Sequence, residues 1–463
     1  MSPQPQDVND ENLYLAPAHV PGRHWISPLN FDPEVTAGFD FPKPLTIFDS
    51  TLRKILYTAG LRPTVDGLLR VAEALEEAGV RENHLMVDFW GGDEPDALEL
   101  EVAKAVLARK FAFHSTVCSD RVLVNPVWGT EVDFASTVKL IDQLQAIGAE
   151  TFGIGLRDPR SAAGRDRQIE KLEQVLEYLT KVGLTAAVDA SDIGRSNFEH
   201  LVRIGTVAIS HGAIRLGLAD SANTLTPEAI KVFVRRLRAR LPKPITITMH
   251  VHDDFGLASG VAIAAASAGA HPDVSVNGIS YRAGFAALEE VVVSLEVQYG
   301  IPTGISTESL QHLSDVVAEV SGFPVPPLKA LVGSHAFLRE LPHMVAPYVR
   351  AGRDSDIFPP AGGCITAGLV GSQVVLAWGG HRSRRVIQDK LTQLGLPADS
   401  PIVDAALAGV EAGLADGDGY PNFVLESELE QILHEVAGAT ERAPSAEQLH
   451  HDEALNSTDP VIS

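Results

Sequence analysis

Eight short apolar, β-branched runs, separated by helical stretches, recur between residues 45 and 300, and this alternation constrains the fold more than any other feature. The runs are LTIFD (45–49), HLMVDFW (84–90), FAFHSTV (111–117), TFGIGL (151–156), TAAVDAS (185–191), AIRLGLAD (213–220), ITITMHVH (245–252) and VSVNGI (274–279). They are apolar on both faces, as parallel strands covered by helices must be. Helical patterns at 65–79, 134–148, 166–183 and 226–241 lie among them, and 287–300 supplies a candidate eighth helix. Thr226 followed by Pro227 reads as N-cap and first helical residue. Glycines at 79, 148, 183 and 269 sit where helices should stop. Eight such units predict an α/β fold, a closed (β/α)8 TIM barrel, followed by a small mainly helical C-terminal region. The rival, an open doubly wound sheet, has no glycine fingerprint in its favour: the first strand is followed by STLRKILYTAG.

This pattern divides the chain into an N-terminal arm (1–40), a barrel catalytic domain (41–304), helical subdomains (305–443) and a disordered tail (444–463). With 37 basic and 60 acidic residues the formal net charge is -23, which argues against nucleic acid and anionic membrane as partners. No apolar run reaches the length of a membrane span, and the first residues lack the basic and apolar regions of a secretory signal. Two cysteines, Cys118 and Cys364, read most simply as reduced thiols. The expectation is a cytoplasmic protein.

In such a barrel the chemistry lies at the C-terminal ends of the strands. The first strand runs into Asp49-Ser50-Thr51-Leu52-Arg53, the seventh into His250-Val251-His252-Asp253-Asp254, and the eighth into Asn277-Gly278-Ile279-Ser280-Tyr281-Arg282. His250 and His252 alternate on a strand and point to one side, a spacing that suits two nitrogen ligands of one divalent metal. The alternative is a polar cluster that closes the strand end without metal. Arg53 is a permanent cation for a carboxylate or an enolate oxygen, or else part of a rim ion pair. Asn277, Asp220 and Asp49 are candidates for binding substrate, each with a capping or ion-pairing alternative. His114, Cys118 and His211 have weaker claims.

Several segments together resemble a known family. DSTLRKILYTAG (49–60) is similar to the signature D-x-T-L-R-D-G-E-Q-x-x-G, and HVHDDFGLASGVAIAAASAGA (250–270) to H-x-H-N-D-x-G-x-A with its following helix. VNGISYRAGFAALEEV (276–291) resembles V-N-G-x-G-E-R-x-G-N-x-x-L-E-E, and LADSAN (218–223) resembles A-D-T-x-G. The pattern is that of the metal-dependent carbon–carbon bond enzymes that include isopropylmalate, homocitrate and citramalate synthases, with hydroxymethylglutaryl-CoA lyase as a more distant member. Past the barrel, VGSHAFLRELPHM (332–344) and WGGHRSRRVIQDKLTQLG (378–395) resemble segments of the synthases rather than the lyases. The resemblance implies acetyl-CoA and a 2-oxo acid as substrates, a divalent metal (Mg, Mn or Zn) held through His250 and His252, proton transfer by His343, a substrate-facing Tyr281, and a homodimer.

The departures matter equally. Lys54 stands where the family has its aspartate metal ligand, Leu56 where it has glutamate, and Tyr57 where it has glutamine. Met86, Tyr281 and Phe285 replace further polar residues, Arg339 replaces a histidine, and Met344 takes a second histidine's place one residue after His343. An ammonium beside a divalent ion costs about a few kcal/mol even at an effective dielectric near 20. Asp49, Asp88, Asp220, Asp253 and Asp254 are possible substitute ligands. Lys54 can instead replace the metal's charge, or form a Schiff base with a 2-oxo compound. The reading is an acyl-CoA-dependent condensation with a 2-oxo acid. The alternatives are a carbon–carbon lyase or aldolase on the same scaffold, metal-free through Lys54, and a non-catalytic relative.

Overall fold

The computed structural model describes residues 15–89, 94–120, 133–352, 363–415 and 422–442. Among the described residues the chain forms two compact units: 15–20, 26–333 and 369–371 in the first, and 21–25, 334–368 and 372–442 in the second. The division falls after Gly333, not at the 304/305 boundary drawn from the sequence. The helix Leu310–Ser321 packs on Val65–Glu77 and so belongs with the barrel. Of the arm, residues 1–14 lie outside the described residues, as does the tail at 444–463.

The first unit is built on a closed barrel of parallel strands: β1 (Phe48–Asp49), β2 (Glu82–Met86), β3 (His114–Ser119), β4 (Thr151–Arg157), β5 (Thr185–Ser191), β6 (Arg215–Asp220), β7 (Thr246–Val251) and β8 (His271–Val274). They pair in sequence order, and β8 closes the ring between β7 and β1. The expected (β/α)8 barrel is therefore present. The helix α1 (Thr51–Tyr57) follows β1 directly, and α2 (Val65–Glu77) covers the outside with Leu68, Val71, Ala72 and Leu75 buried. Thr64 caps α2 by accepting from the Gly67 amide. Gly79, at φ +94°, ends that segment where a Cβ would lie 2.8 Å from the Gly304 carbonyl oxygen, so only glycine fits. Thr226 and Pro227 start the helix Pro227–Arg240 as expected.

The last strand departs from the sequence reading. It occupies His271–Val274 rather than 274–279, and Val276–Gly278 instead form a 3-10 turn with Asn277 at φ 60°. Pro272 and the polar residues around it disguise the strand, because proline cannot donate to the ladder. The shift matters for the site: in the true register Asp273 pairs with His250 on one side and Phe48 on the other.

The second unit packs Pro342–Ala351, Arg384–Gln393, Ser400–Ala415 and Glu426–Arg442 around Val345, Trp378, Ile387, Leu391, Val403 and Leu433. A small sheet of Leu338–Arg339, Val375–Trp378 and Val424–Leu425 completes it. Among the described residues no helix is long and apolar enough to cross a membrane.

Candidate active site

A cavity of about 950 Å³ opens in the barrel, lined by Arg53, Tyr57, His250, His252, Tyr281 and Arg282 among others. Lys54 lies one helical position from Arg53 and is 1% exposed. Its Nζ stands 2.9 Å from His250 Nε2 and 3.3 Å from His252 Nε2. Strand alternation brings the two imidazoles together as the sequence predicts, with ring centroids 5.5 Å apart. The rings of Phe285 and Tyr281 flank Nζ, with centroids 4.6 and 5.0 Å away.

The hydrogen bonds fix the polarity of this contact. His252 Nδ1 lies 3.1 Å from the Gly284 carbonyl, which can only accept, so Nδ1 carries the proton. His250 Nδ1 lies 2.6 Å from an Asp273 oxygen and likewise donates. Both Nε2 atoms are then bare acceptors, and Lys54 Nζ donates to both.

Behind His250 runs a line of polar and charged groups. Asp273 also accepts from Ser50 Oγ at 2.7 Å and faces His84 Nδ1 at 3.5 Å. His84 Nε2 meets the Arg215 guanidinium, which in turn donates to Asp189 at 3.1 Å. Burial pushes the Lys54 amine well below the usual lysine range, and the adjacent Arg53 pushes it further. Burial and Lys54 lower His250 to about 3 and lower His252 as well. Burial and Arg215 lower His84. Burial alone would raise Asp273, but His84 and His250 outweigh it and hold the carboxyl well below its ordinary value. Burial raises the Cys118 thiol to about 12.

Arg53 lines the cavity, and its buried Nε has no hydrogen-bond partner among the described residues. A guanidinium stays charged, so that unused donor makes it an anion receptor beside Lys54.

Other candidates are committed elsewhere. Asp49 is buried and accepts from the Thr51 amide (2.9 Å), Thr51 Oγ1 (2.7 Å) and Asn83 Nδ2 (3.2 Å); burial raises it to about 7. Asp220 accepts from the amides of Thr224 (2.9 Å) and Leu225 (2.8 Å) and so ties the turn after β6. Asn277 donates to the Ser314 carbonyl at 3.0 Å and accepts from Ser314 Oγ at 2.5 Å, which locks the left-handed turn after β8. The structure thus gathers Arg53, Lys54, His250, His252 and Tyr281, and it sets Asp49, Asp220 and Asn277 in structural bonds. His343 is exposed in the first turn of Pro342–Ala351, in the second unit.

The divalent ion implied by the resemblance does not fit these residues. Metal–imidazole bonds of about 2.0–2.1 Å would place an ion where Lys54 Nζ already stands between the two Nε2 atoms. Each of the aspartates considered as a substitute is hydrogen-bonded to other partners. Asp49 and Asp220 are bound as above, and Asp88 accepts from the Phe89 amide at 3.0 Å and Ser119 Oγ at 3.0 Å. Asp253 accepts from the Ala258 amide at 2.8 Å, and Asp254 pairs with Arg282 at 2.9 Å. Among the described residues no group of three or more His, Cys, Asp or Glu side chains is placed to hold a metal ion.

Sequence reasoning missed His84, Asp189, Arg215 and Asp273. His84, Asp189 and Arg215 are charged or imidazole residues inside otherwise apolar strand patterns, and that anomaly was the available signal. Asp273 was hidden by the misplaced eighth strand.

The family model described as HMGL-like matches residues 44–317. A putative (R)-citramalate synthase of Methanopyrus kandleri is 32% identical over 414 residues, covering 88% of this chain and 75% of that protein. A homocitrate synthase of the same organism is 31% identical over 404 residues, covering 87% and 95%. Among solved structures, the hydroxymethylglutaryl-CoA lyase from Pseudomonas aeruginosa superposes with a TM-score of 0.50 at 17% identity, covering 62% of this chain and 95% of that one; it shows the shared fold.

Proposed function

The chain belongs to the HMGL-like family, and on that premise we propose that it joins an acyl-CoA to a 2-oxo acid. The product is a 2-substituted malate-type acid with free CoA. The observation that carries this reading is Arg53, which lines the cavity with its Nε unpaired, together with the buried Lys54 Nζ held against His250 and His252, which line the same cavity. Arg53 grips the carboxylate of the 2-oxo acid, and Lys54 donates a hydrogen bond to the oxygen that becomes an alkoxide. The methyl carbon of the acyl group loses a proton and attacks the carbonyl carbon. The alkoxide takes a proton, and water then cleaves the thioester to release CoA as thiol. His343 is proposed for proton transfer from the resemblance alone. Tyr281 closes the wall over Lys54 and faces the substrate.

Purified protein incubated with acetyl-CoA and a panel of 2-oxo acids tests this. Thiol release that needs a particular 2-oxo acid, with a matching malate-type product by mass spectrometry, is the expected result. Thiol release independent of any 2-oxo acid, or none with any acyl donor, contradicts it.

The carbon–carbon lyase or aldolase is a second reading, favoured by one observation. Lys54 is buried with imidazoles rather than carboxylates for partners, an environment that suits an amine adding to a 2-oxo carbonyl to form an imine and water. Borohydride trapping of a 2-oxo acid on the peptide containing Lys54 is its signature, and unmodified peptide under turnover conditions excludes it.

A further inference from the structure

We infer that the side-chain nitrogen of Lys54 is the built-in occupant of the divalent-ion position, so that the His250–His252 pair receives an internal donor and excludes metal. This rests on the proposed condensation only for its catalytic consequence, since occupancy can be measured without turnover.

Three observations converge. Both Nε2 atoms are bare and aimed at Nζ, at 2.9 and 3.3 Å, the directions a metal would use. The imidazoles are held in that tautomer from behind, His250 by Asp273 and His252 by the Gly284 carbonyl, so the pair is preorganised for an electrophile and Lys54 supplies it. The walls have changed with the occupant. Tyr281 and Phe285 present ring faces to Nζ where the resembled family has glutamate and asparagine. Aromatic faces accommodate a donor nitrogen but offer no oxygen ligand to a hard cation. An amine and an ammonium both fill the position and both donate, so the exclusion does not depend on the protonation state of Lys54.

A consequence is a latent metal site. Replacing Lys54 with aspartate leaves two imidazoles and one carboxylate around a vacated position, a sufficient set for Zn²⁺ or Mn²⁺ with water completing the shell. The test is calorimetric titration of the full chain with Zn²⁺ and with Mn²⁺, followed by metal analysis after dialysis. Wild type, Lys54→Asp, Lys54→Ala and the double variant His250→Ala/His252→Ala are compared, the last giving background binding elsewhere on the acidic surface. Wild type should match that background. Lys54→Asp should gain about one ion per chain, and should lose it again when His250 and His252 are also replaced. Lys54→Ala, a milder change, guards against misfolding of the aspartate variant. Its gain over wild type supports the inference, and so does a melt unchanged by EDTA in wild type. Wild type binding an ion that disappears in the double variant overturns the inference. So does a folded Lys54→Asp that binds no more than wild type or, where that variant does not fold, a folded Lys54→Ala that binds no more than wild type.

Discussion

Two lysines in this chain are buried to nearly the same degree, Lys54 in the barrel unit at 1% exposure and Lys390 in the C-terminal unit at 2%. Their surroundings differ completely. Lys390 Nζ donates to Glu426 and Glu430, each at 2.7 Å, and to Gln393 at 3.0 Å. Lys54 meets two imidazole nitrogens and two aromatic faces. Burying a charge is costly unless a counter-charge accompanies it. Lys390 has that compensation and serves to join two helices. Lys54 has no ion pair among the described residues, only the pull of Asp273 and Asp120, and a cost retained behind imidazoles that line a cavity is the pattern of a side chain kept for chemistry rather than for stability.

The sharpest way to break this comparison is to replace both lysines with methionine. Lys54→Met should lower turnover by about 10²–10³, the loss typical of one preorganised oxyanion donor, while its melting temperature stays equal or rises. A Lys54→Met protein that unfolds would make the two lysines alike. Next in size, Arg53→Ala should raise KM for the 2-oxo acid by about 10–100-fold, the equivalent of one charge-assisted contact, with a smaller change in KM for the acyl-CoA. Equal effects on both substrates would remove Arg53 from the carboxylate.

Lys390→Met should leave turnover unchanged but destabilise its unit by about 2–3 kcal/mol in urea unfolding. This is below the usual value for a broken buried pair, because the Glu430 side chain is 39% exposed and regains water.

The smallest effect is in the pH dependence of the imidazoles. His250 titrates near 3 in the folded chain against an ordinary 6.5, so the folded state refuses a proton that the unfolded chain accepts. Its contribution is intact above pH 6.5 and is lost progressively as the pH falls towards 3. The stability difference between wild type and His250→Phe should therefore shrink by about 2 kcal/mol between pH 6.5 and 5. A constant difference would mean that His250 is not held neutral by its surroundings.

The barrel was legible because the strand-and-helix alternation is written in hydrophobic pattern, and seven strands fall close to where that pattern puts them. The eighth slipped because a strand containing Pro272 and Asp273 looks like a loop until its two neighbours supply the hydrogen bonds. Half of the site was equally legible: His250 and His252 face one way because strand side chains alternate, and Lys54 was visible as an intruder in a resembled motif. The support behind them was not, since pairing His84 with Asp273, or Arg215 with Asp189, depends on which strands become neighbours. Asp49, Asp220 and Asn277 show the converse limit. A polar residue at a strand end reads the same in sequence whether it faces a cavity or ties a turn, and all three tie backbone.

In the proposed reaction a lysine nitrogen stands where the resembled enzymes use an ion. The most direct measurement is thiol release from acetyl-CoA with an accepted 2-oxo acid, in EDTA and in added Mg²⁺, Mn²⁺ or Zn²⁺, for wild type beside Lys54→Met. The account predicts a wild-type rate indifferent to EDTA and to every ion, and a rate lost in Lys54→Met. A wild-type rate abolished by EDTA and restored by an ion would contradict it.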